Sequence, residues 1–134
     1  MNELPTGIVS GRLRGWAMAS VMITVAMVSL DSTIAYTALP AMSADLRASA
    51  ASTVWVMNAY QLAVVAAVVP LAALGDAIGH RRVMLAGLAL FVLAALGCGL
   101  AGSLPALIAA RAVQGLGAAA VVSVTTALIR FIYP

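Results

Sequence analysis

Between Trp16 and Leu39 the chain runs for 24 residues with a single charge, Asp31. A helix of about 20 apolar residues crosses the hydrocarbon core of a bilayer, so this stretch is long enough to span one. Asp31 lies 15 residues after Trp16, about 22 Å along a helix axis. It is therefore expected inside the membrane, beyond the midpoint. An acid there costs about 2.5–3.5 kcal/mol on insertion scales, so it is expected to face a cavity or a partner. At about 100° per residue, Ser20, Thr24, Met27 and Asp31 share one face, and Val, Ile, Ala, Met and Leu fill the others. The stretch reads as a cavity-lining helix. The competing reading is a buried, neutral acid with a structural hydrogen bond. A cleaved signal peptide fits less well, because the apolar run is too long and no clear small-x-small site follows it.

The rest of the composition extends this reading to the whole chain. Hydrophobic residues make up 64% and charged residues 8%, against about 25% charged in a soluble domain. The fold class is all-α integral membrane. The net charge of +3 comes from 7 arginines, no lysine and 4 acids. In a membrane protein that balance reports topology, and no nucleic-acid partner is expected. One cysteine excludes an internal disulfide. Cys98, in a Leu/Ala/Gly run, reads as a small packing residue. With one His, one Cys and no Lys, no nucleophile–base pair and no metal-ligand set can be named. Neither an enzyme nor a cofactor is expected, the proton gradient aside.

Taken in order, residues 1–15 read as a polar lead and residues 16–134 as a membrane unit of four transmembrane helices, at about 16–39, 53–74, 83–101 and 106–132. The first helix is expected to end at Leu39-Pro40. Ser52 or Thr53 is expected to cap the second. Asn58 and Gln61 share a face of that helix; they line a polar cavity or bond a neighbouring helix. Pro70 is expected to kink it. Gly75 to Arg82, GDAIGHRR, reads as a tight charged turn. The third helix has no charge and no amide, so much of its surface is expected to face lipid. The fourth carries Arg111 and Gln114, followed by Gly115, Gly117 and Ala118 to Ala120. Gly115-xxx-Ala119 has the small-xxx-small spacing that lets another backbone approach closely.

Arginine placement predicts the orientation. With the N-terminus inside, the inner ends hold Arg12, Arg14, Arg81, Arg82 and Arg130, and the outer loop holds Arg47 alone. Both termini are expected in the cytoplasm of a multi-pass inner-membrane protein. This topology puts two opposite charges level. Arg111 lies about 10 Å below Leu104, and Asp31 about 12 Å below Leu39. Arginine keeps its charge at any ordinary pH and needs an acid, a carbonyl or water. A nearby cation favours a carboxylate, while burial favours the neutral acid. A carboxylate held between those influences in a cavity suits proton binding and release. A static pair joining two helices is the alternative. Arg111 and Gln114 share their face with Ala118 and Thr125, which also suits a cavity wall.

Three stretches resemble the major facilitator superfamily, and within it the fourteen-helix drug/proton antiporters. LDSTIAYTALP, Leu30 to Pro40, looks like the first-helix signature LDxTIVNxALP. ALGDAIGHRRVML, Ala73 to Leu85, is similar to the loop signature GxLxDRxGRRxxL. RAVQGLGAA, Arg111 to Ala119, matches RxxQGxGAA of the fourth helix. WVMNAYQLA, Trp55 to Ala63, is like the second helix of that subfamily. The resemblance covers about Trp16 to Pro134. It implies that Asp31 is the first-helix acid of proton coupling and substrate binding, and that Arg111 is the fourth-helix arginine of proton transfer. It places Gly75, Asp76, Gly79, Arg81 and Arg82 in a cytoplasmic gate loop, with Asp76 as the central acid of the latch. A topology anchor is the competing reading of Arg81 and Arg82. Tyr36, Ala72, Ala77 and His80 depart from the patterns.

Superfamily members have two six-helix halves with the substrate site between them. Four helices are expected to be the N-terminal part of a proton-coupled efflux antiporter, in a truncated or fragmentary chain whose second half is missing. Its partners are then the bilayer and a small-molecule substrate, for which apolar walls and one acid suit a lipophilic cation. A small homodimeric drug exporter is the runner-up, although it has no need of GDAIGHRR or RAVQGLG. A non-transporting subunit that packs through Gly115 is the third reading.

Overall fold

The computed structural model describes residues 11–132. It contains four helices: α1 (Gly11–Asp45), α2 (Ala50–Ile78), α3 (His80–Leu100) and α4 (Leu104–Ile132). All four have a segment long and apolar enough to cross a membrane. Of the expected polar lead, residues 1–10 lie outside the described residues, and Gly11 to Gly15 are already helical.

The bundle is built on α4, not on the first apolar stretch. Half of the apolar span of α4 is buried, against 22% for α3, 11% for α1 and 6% for α2. Both α2 and α3 pack along α4, whereas α1 touches α4 and α2 only sparsely. Small residues explain the hub. A Cβ on Gly115 would come 2.6 Å from the Tyr60 carbonyl oxygen of α2. One on Gly117 would come 2.7 Å from both the Gly87 carbonyl oxygen and the Phe91 nitrogen of α3. One turn of α4 thus admits a backbone on each side, the close approach that small residues permit between membrane helices. Along α3 the buried residues are Val83, Gly87, Phe91 and Ala94, one helical stripe turned to α4. Leu85, Leu93, Leu96 and Leu100 are exposed on its other faces.

Several boundaries differ from the sequence expectation. Helix α1 does not stop at Leu39-Pro40 but continues to Asp45 with Pro40 inside it. Proline removes one backbone donor there, a loss that membrane helices tolerate. The end is set by Arg47, whose φ of 50° is left-handed. Ala48 N–H donates to the Ser43 carbonyl at 2.9 Å, and Arg47 N–H to Ala44 at 3.2 Å. This is a Schellman closure with arginine where glycine is usual. The cap of α2 is Ser49, not Ser52 or Thr53: its hydroxyl accepts from the Ser52 N–H. The charged turn is also shorter than GDAIGHRR suggests. Helix α2 runs through Ile78, Gly79 alone reverses the chain, and α3 starts at His80. The φ of Gly79 is 103°, a conformation that glycine adopts at little cost. Its N–H closes α2 on the Gly75 carbonyl, and its own carbonyl accepts from Val83 at the start of α3.

Candidate functional site

Asp31 and Arg111 meet inside the bundle, in the half nearer the α3–α4 turn. Arg111 Nη1 donates to Asp31 Oδ2 at 3.0 Å and to Gln114 Oε1 at 2.8 Å. Gln114 Nε2 donates to the other carboxylate oxygen, Oδ1, at 2.8 Å. The three side chains close a ring in which α4 supplies a cation and an amide three residues apart, on one helical face. That face forms because Leu107, Arg111, Gln114, Ala118 and Val121 recur at helical spacing, and all five are buried.

Two further residues complete the cluster: Tyr60, which the sequence reading did not single out, and Cys98, which it read as a small packing residue and which the structure places on the polar wall. The Arg111 guanidinium lies over the Tyr60 ring, 4.4 Å from its centroid. The Cys98 thiol donates to Gln114 Oε1 at 3.7 Å. Tyr60 was legible as part of the stripe Thr53, Val56, Met57 and Tyr60, which is the buried face of α2. Cys98 offered no comparable pattern. Arg111 is 3% exposed and Gln114 1%. The Asp31 side chain keeps 24% exposure. Nε and Nη2 of Arg111 find no hydrogen-bond partner among the described residues, so one edge of the guanidinium keeps its donor capacity.

A cavity of about 210 Å³ adjoins the cluster. Asp31, Cys98, Arg111 and Gln114 are its polar wall, and Val56 and Leu107 are among its apolar lining. It extends along α1 to Met42, toward the end of the bundle that carries Arg47. A partly exposed acid beside a buried cation thus lines the wall of a cavity next to the α2–α4–α3 packing.

Asn58 and Gln61 are not part of this cluster. They are exposed on the outer face of α2, because the inward face of that helix belongs to the Thr53–Tyr60 stripe. Thr24 is buried, but its hydroxyl donates to the Ser20 carbonyl of its own helix at 2.7 Å. Ser20 is exposed, so the first-helix face contributes Asp31 alone to the polar ring.

The residues expected in a gate loop lie at the other end of the bundle from Arg47. Asp76 is exposed, and its Oδ1 is 3.3 Å from His80 Nε2, one turn away across Gly79. Gly75 is buried under the His80 ring: a Cβ there would come 2.5 Å from Nδ1. Gly79 forms the turn, and Arg81 and Arg82 are exposed at the first turn of α3. The structure therefore gives Gly75 and Gly79 separate reasons, a ring contact and a backbone reversal.

Comparison with known proteins supplies a family. The family described as Major Facilitator Superfamily matches residues 21–134. The Escherichia coli K12 protein called Uncharacterized transporter YebQ is 48% identical over 88% of the chain, which covers 26% of its own length. The Tetracenomycin C resistance and export protein of Streptomyces glaucescens is 38% identical over 99% of the chain and 26% of its length. The Multidrug efflux pump LfrA of Mycolicibacterium smegmatis is 35% identical over 90% of the chain and 24% of its length. The chain thus spans about a quarter of the length of these relatives. No solved structure matches it.

Proposed function

The chain belongs to the major facilitator superfamily, and from that membership and the Asp31–Arg111–Gln114 ring we propose that it is the N-terminal part of a proton-coupled efflux transporter. The carrying observation is an aspartate in one spanning helix, hydrogen-bonded to an arginine and a glutamine of another, beside a cavity. In this reading Asp31 takes up the proton. Arg111 holds the carboxylate between turnovers, and Gln114 bonds both partners so that the guanidinium stays in place when the acid is neutral. Relatives named for tetracenomycin C export and multidrug efflux support export of small organic molecules. A lipophilic cation suits the apolar cavity walls and the single acid. The arginine distribution supports an inner-membrane protein with both termini in the cytoplasm. Asp76, with Gly75, Gly79, Arg81 and Arg82, then forms a latch on the cytoplasmic side, and the remaining helices of the transporter provide the opposing half.

The test is Asp31→Asn in the complete transporter. Everted vesicles carrying the wild type should acidify or alkalinise on substrate addition, while the variant should show no substrate-dependent proton movement yet still insert. Proton coupling that persists in the variant would remove Asp31 from the mechanism.

A further inference from the structure

Helices α2 and α3 diverge from the Gly79 turn, each packed on α4 more extensively than on the other. The space between them is a groove of about 540 Å³. Leu74 and Ile78 of α2 line one side, and Ala86 and Leu90 of α3 the other. Leu116 of α4 is part of the floor, and Arg82 is the one charged residue on the lining. From Ala66 to Ile78 the groove follows about 18 Å of α2. A leaflet is about 15 Å deep, half of the 30 Å hydrocarbon core. The groove therefore starts at a helix end and reaches about one leaflet inward.

The charge at its mouth argues for one kind of occupant. Arg82 is exposed and makes no hydrogen bond or ion pair among the described residues, and the acid of the same turn, Asp76, is engaged by His80. Arg81 is exposed beside it. Helix polarity puts Arg130 at the same end. An apolar furrow that opens on an uncompensated guanidinium matches a molecule with a long hydrocarbon tail and a negative head. Basic side chains near anionic leaflets attract such headgroups, and arginine suits phosphate because its planar fork donates two bonds at once.

We propose that this groove binds one anionic phospholipid, its acyl chain between α2 and α3 and its phosphate on Arg82. The site is separate from the Asp31 cavity, and it stands whether or not the chain belongs to a proton-coupled exporter.

The chain purified in detergent would be titrated with phosphatidylglycerol and with phosphatidylcholine of the same acyl composition, and bound lipid counted by native mass spectrometry. The wild type should hold phosphatidylglycerol at least about fivefold more tightly. Arg82→Gln should erase that preference and Arg82→Lys should keep part of it. Arg130→Gln, at the same end but off the groove, should leave it intact. Ala86→Trp should reduce binding of both lipids by filling the furrow. Equal binding of the two lipids by the wild type, or a full preference in Arg82→Gln, would overturn the proposal. A photoactivatable phosphatidylglycerol should also label peptides bearing Leu90 in the complete transporter. Crosslinking of Leu90 to another protein segment, with no lipid label, would show that the groove is filled by protein and would equally overturn it.

Discussion

The contact at Gly117 yields the sharpest stability prediction. Replacing Gly117 with Ala puts a methyl group 2.7 Å from the Gly87 carbonyl oxygen, 2.7 Å from the Phe91 nitrogen and 2.9 Å from the Phe91 Cα. Ordinary contact begins near 3.4 Å, so α3 and α4 must separate by roughly 0.7 Å. All three opposing atoms are backbone, and no side-chain rotation relieves them. Overpacking of this kind costs about 1–3 kcal/mol. Alanine also has better helix propensity than glycine, by about 1 kcal/mol, which masks part of the loss. Gly97→Ala removes that ambiguity. It lies inside α3, and its Cβ would sit 3.8 Å from the Ala110 Cβ, in ordinary contact. The propensity gain is common to both variants, so their difference reports the overlap alone. Equilibrium unfolding in mixed micelles, followed by the fluorescence of Trp16 and Trp55, should separate Gly117→Ala from Gly97→Ala by about 1–3 kcal/mol. Coincident unfolding curves would refute the close approach of α3 to α4 at this turn.

Three other outcomes follow from the geometry. Arg47→Gly should stabilise the chain by about 1 kcal/mol, because a left-handed residue at a helix end carries a penalty for any side chain that glycine avoids; the same unfolding assay reads it. Tyr60→Phe should unfold like the wild type, whereas Tyr60→Leu should lose about 2 kcal/mol, the worth of a desolvated cation–π contact. Equal effects of the two would mean that the hydroxyl, not the ring face, matters. The double substitution Asn58→Ala with Gln61→Ala should change stability by less than about 0.5 kcal/mol, since both amides are exposed; a larger loss would give them a partner within the four helices.

Polarity made the centre of the site readable. Within long apolar helices, Asp31, Arg111 and Gln114 are the exceptions, and an exception in hydrocarbon needs a partner. Yet the equal-depth argument that joined Asp31 to Arg111 placed the end of the first helix at Leu39, and α1 in fact runs on to Asp45. The pairing stands on the hydrogen bonds rather than on that depth. Asn58 and Gln61 drew attention for the same reason as the acid, but neutral amides do not force an inward position, and the Thr53–Tyr60 stripe decided which face of α2 was buried. Gly87 was not legible at all. A glycine in an apolar run carries no pattern until the opposing Gly117 and Ala120 are known, since its meaning lies in a contact between two distant segments. Pro40 misled because proline ends helices in water more often than in a membrane, where neighbouring groups make up for the missing donor.

The distribution of packing also bears on how a proton would be used. Gly115 and Gly117 lock α4 to α2 and α3 through backbone contacts, which resist any sliding. Helix α1 has no such lock. It meets α4 sparsely, and its principal polar tie there is the pair of bonds from Arg111 and Gln114 to Asp31. In the proposed cycle, protonating Asp31 removes the charge that holds Arg111, while Gln114 and the Tyr60 ring keep the guanidinium in place. The loosened element is then α1 alone. Deleting the carboxylate without its proton chemistry separates this from a rigid pair: Asp31→Ala should leave Arg111 buried without its anion, at a cost of about 3–5 kcal/mol. Asp31→Asn, which still accepts from Arg111, should cost less and should free α1. Distances between spin labels on Ser43 and Ser103 should therefore broaden in Asp31→Asn and stay fixed between Ser103 and a label on the exposed Val54 of α2. If both pairs broaden together, α1 is not the independent element and the coupling lies in the α2–α4–α3 unit instead.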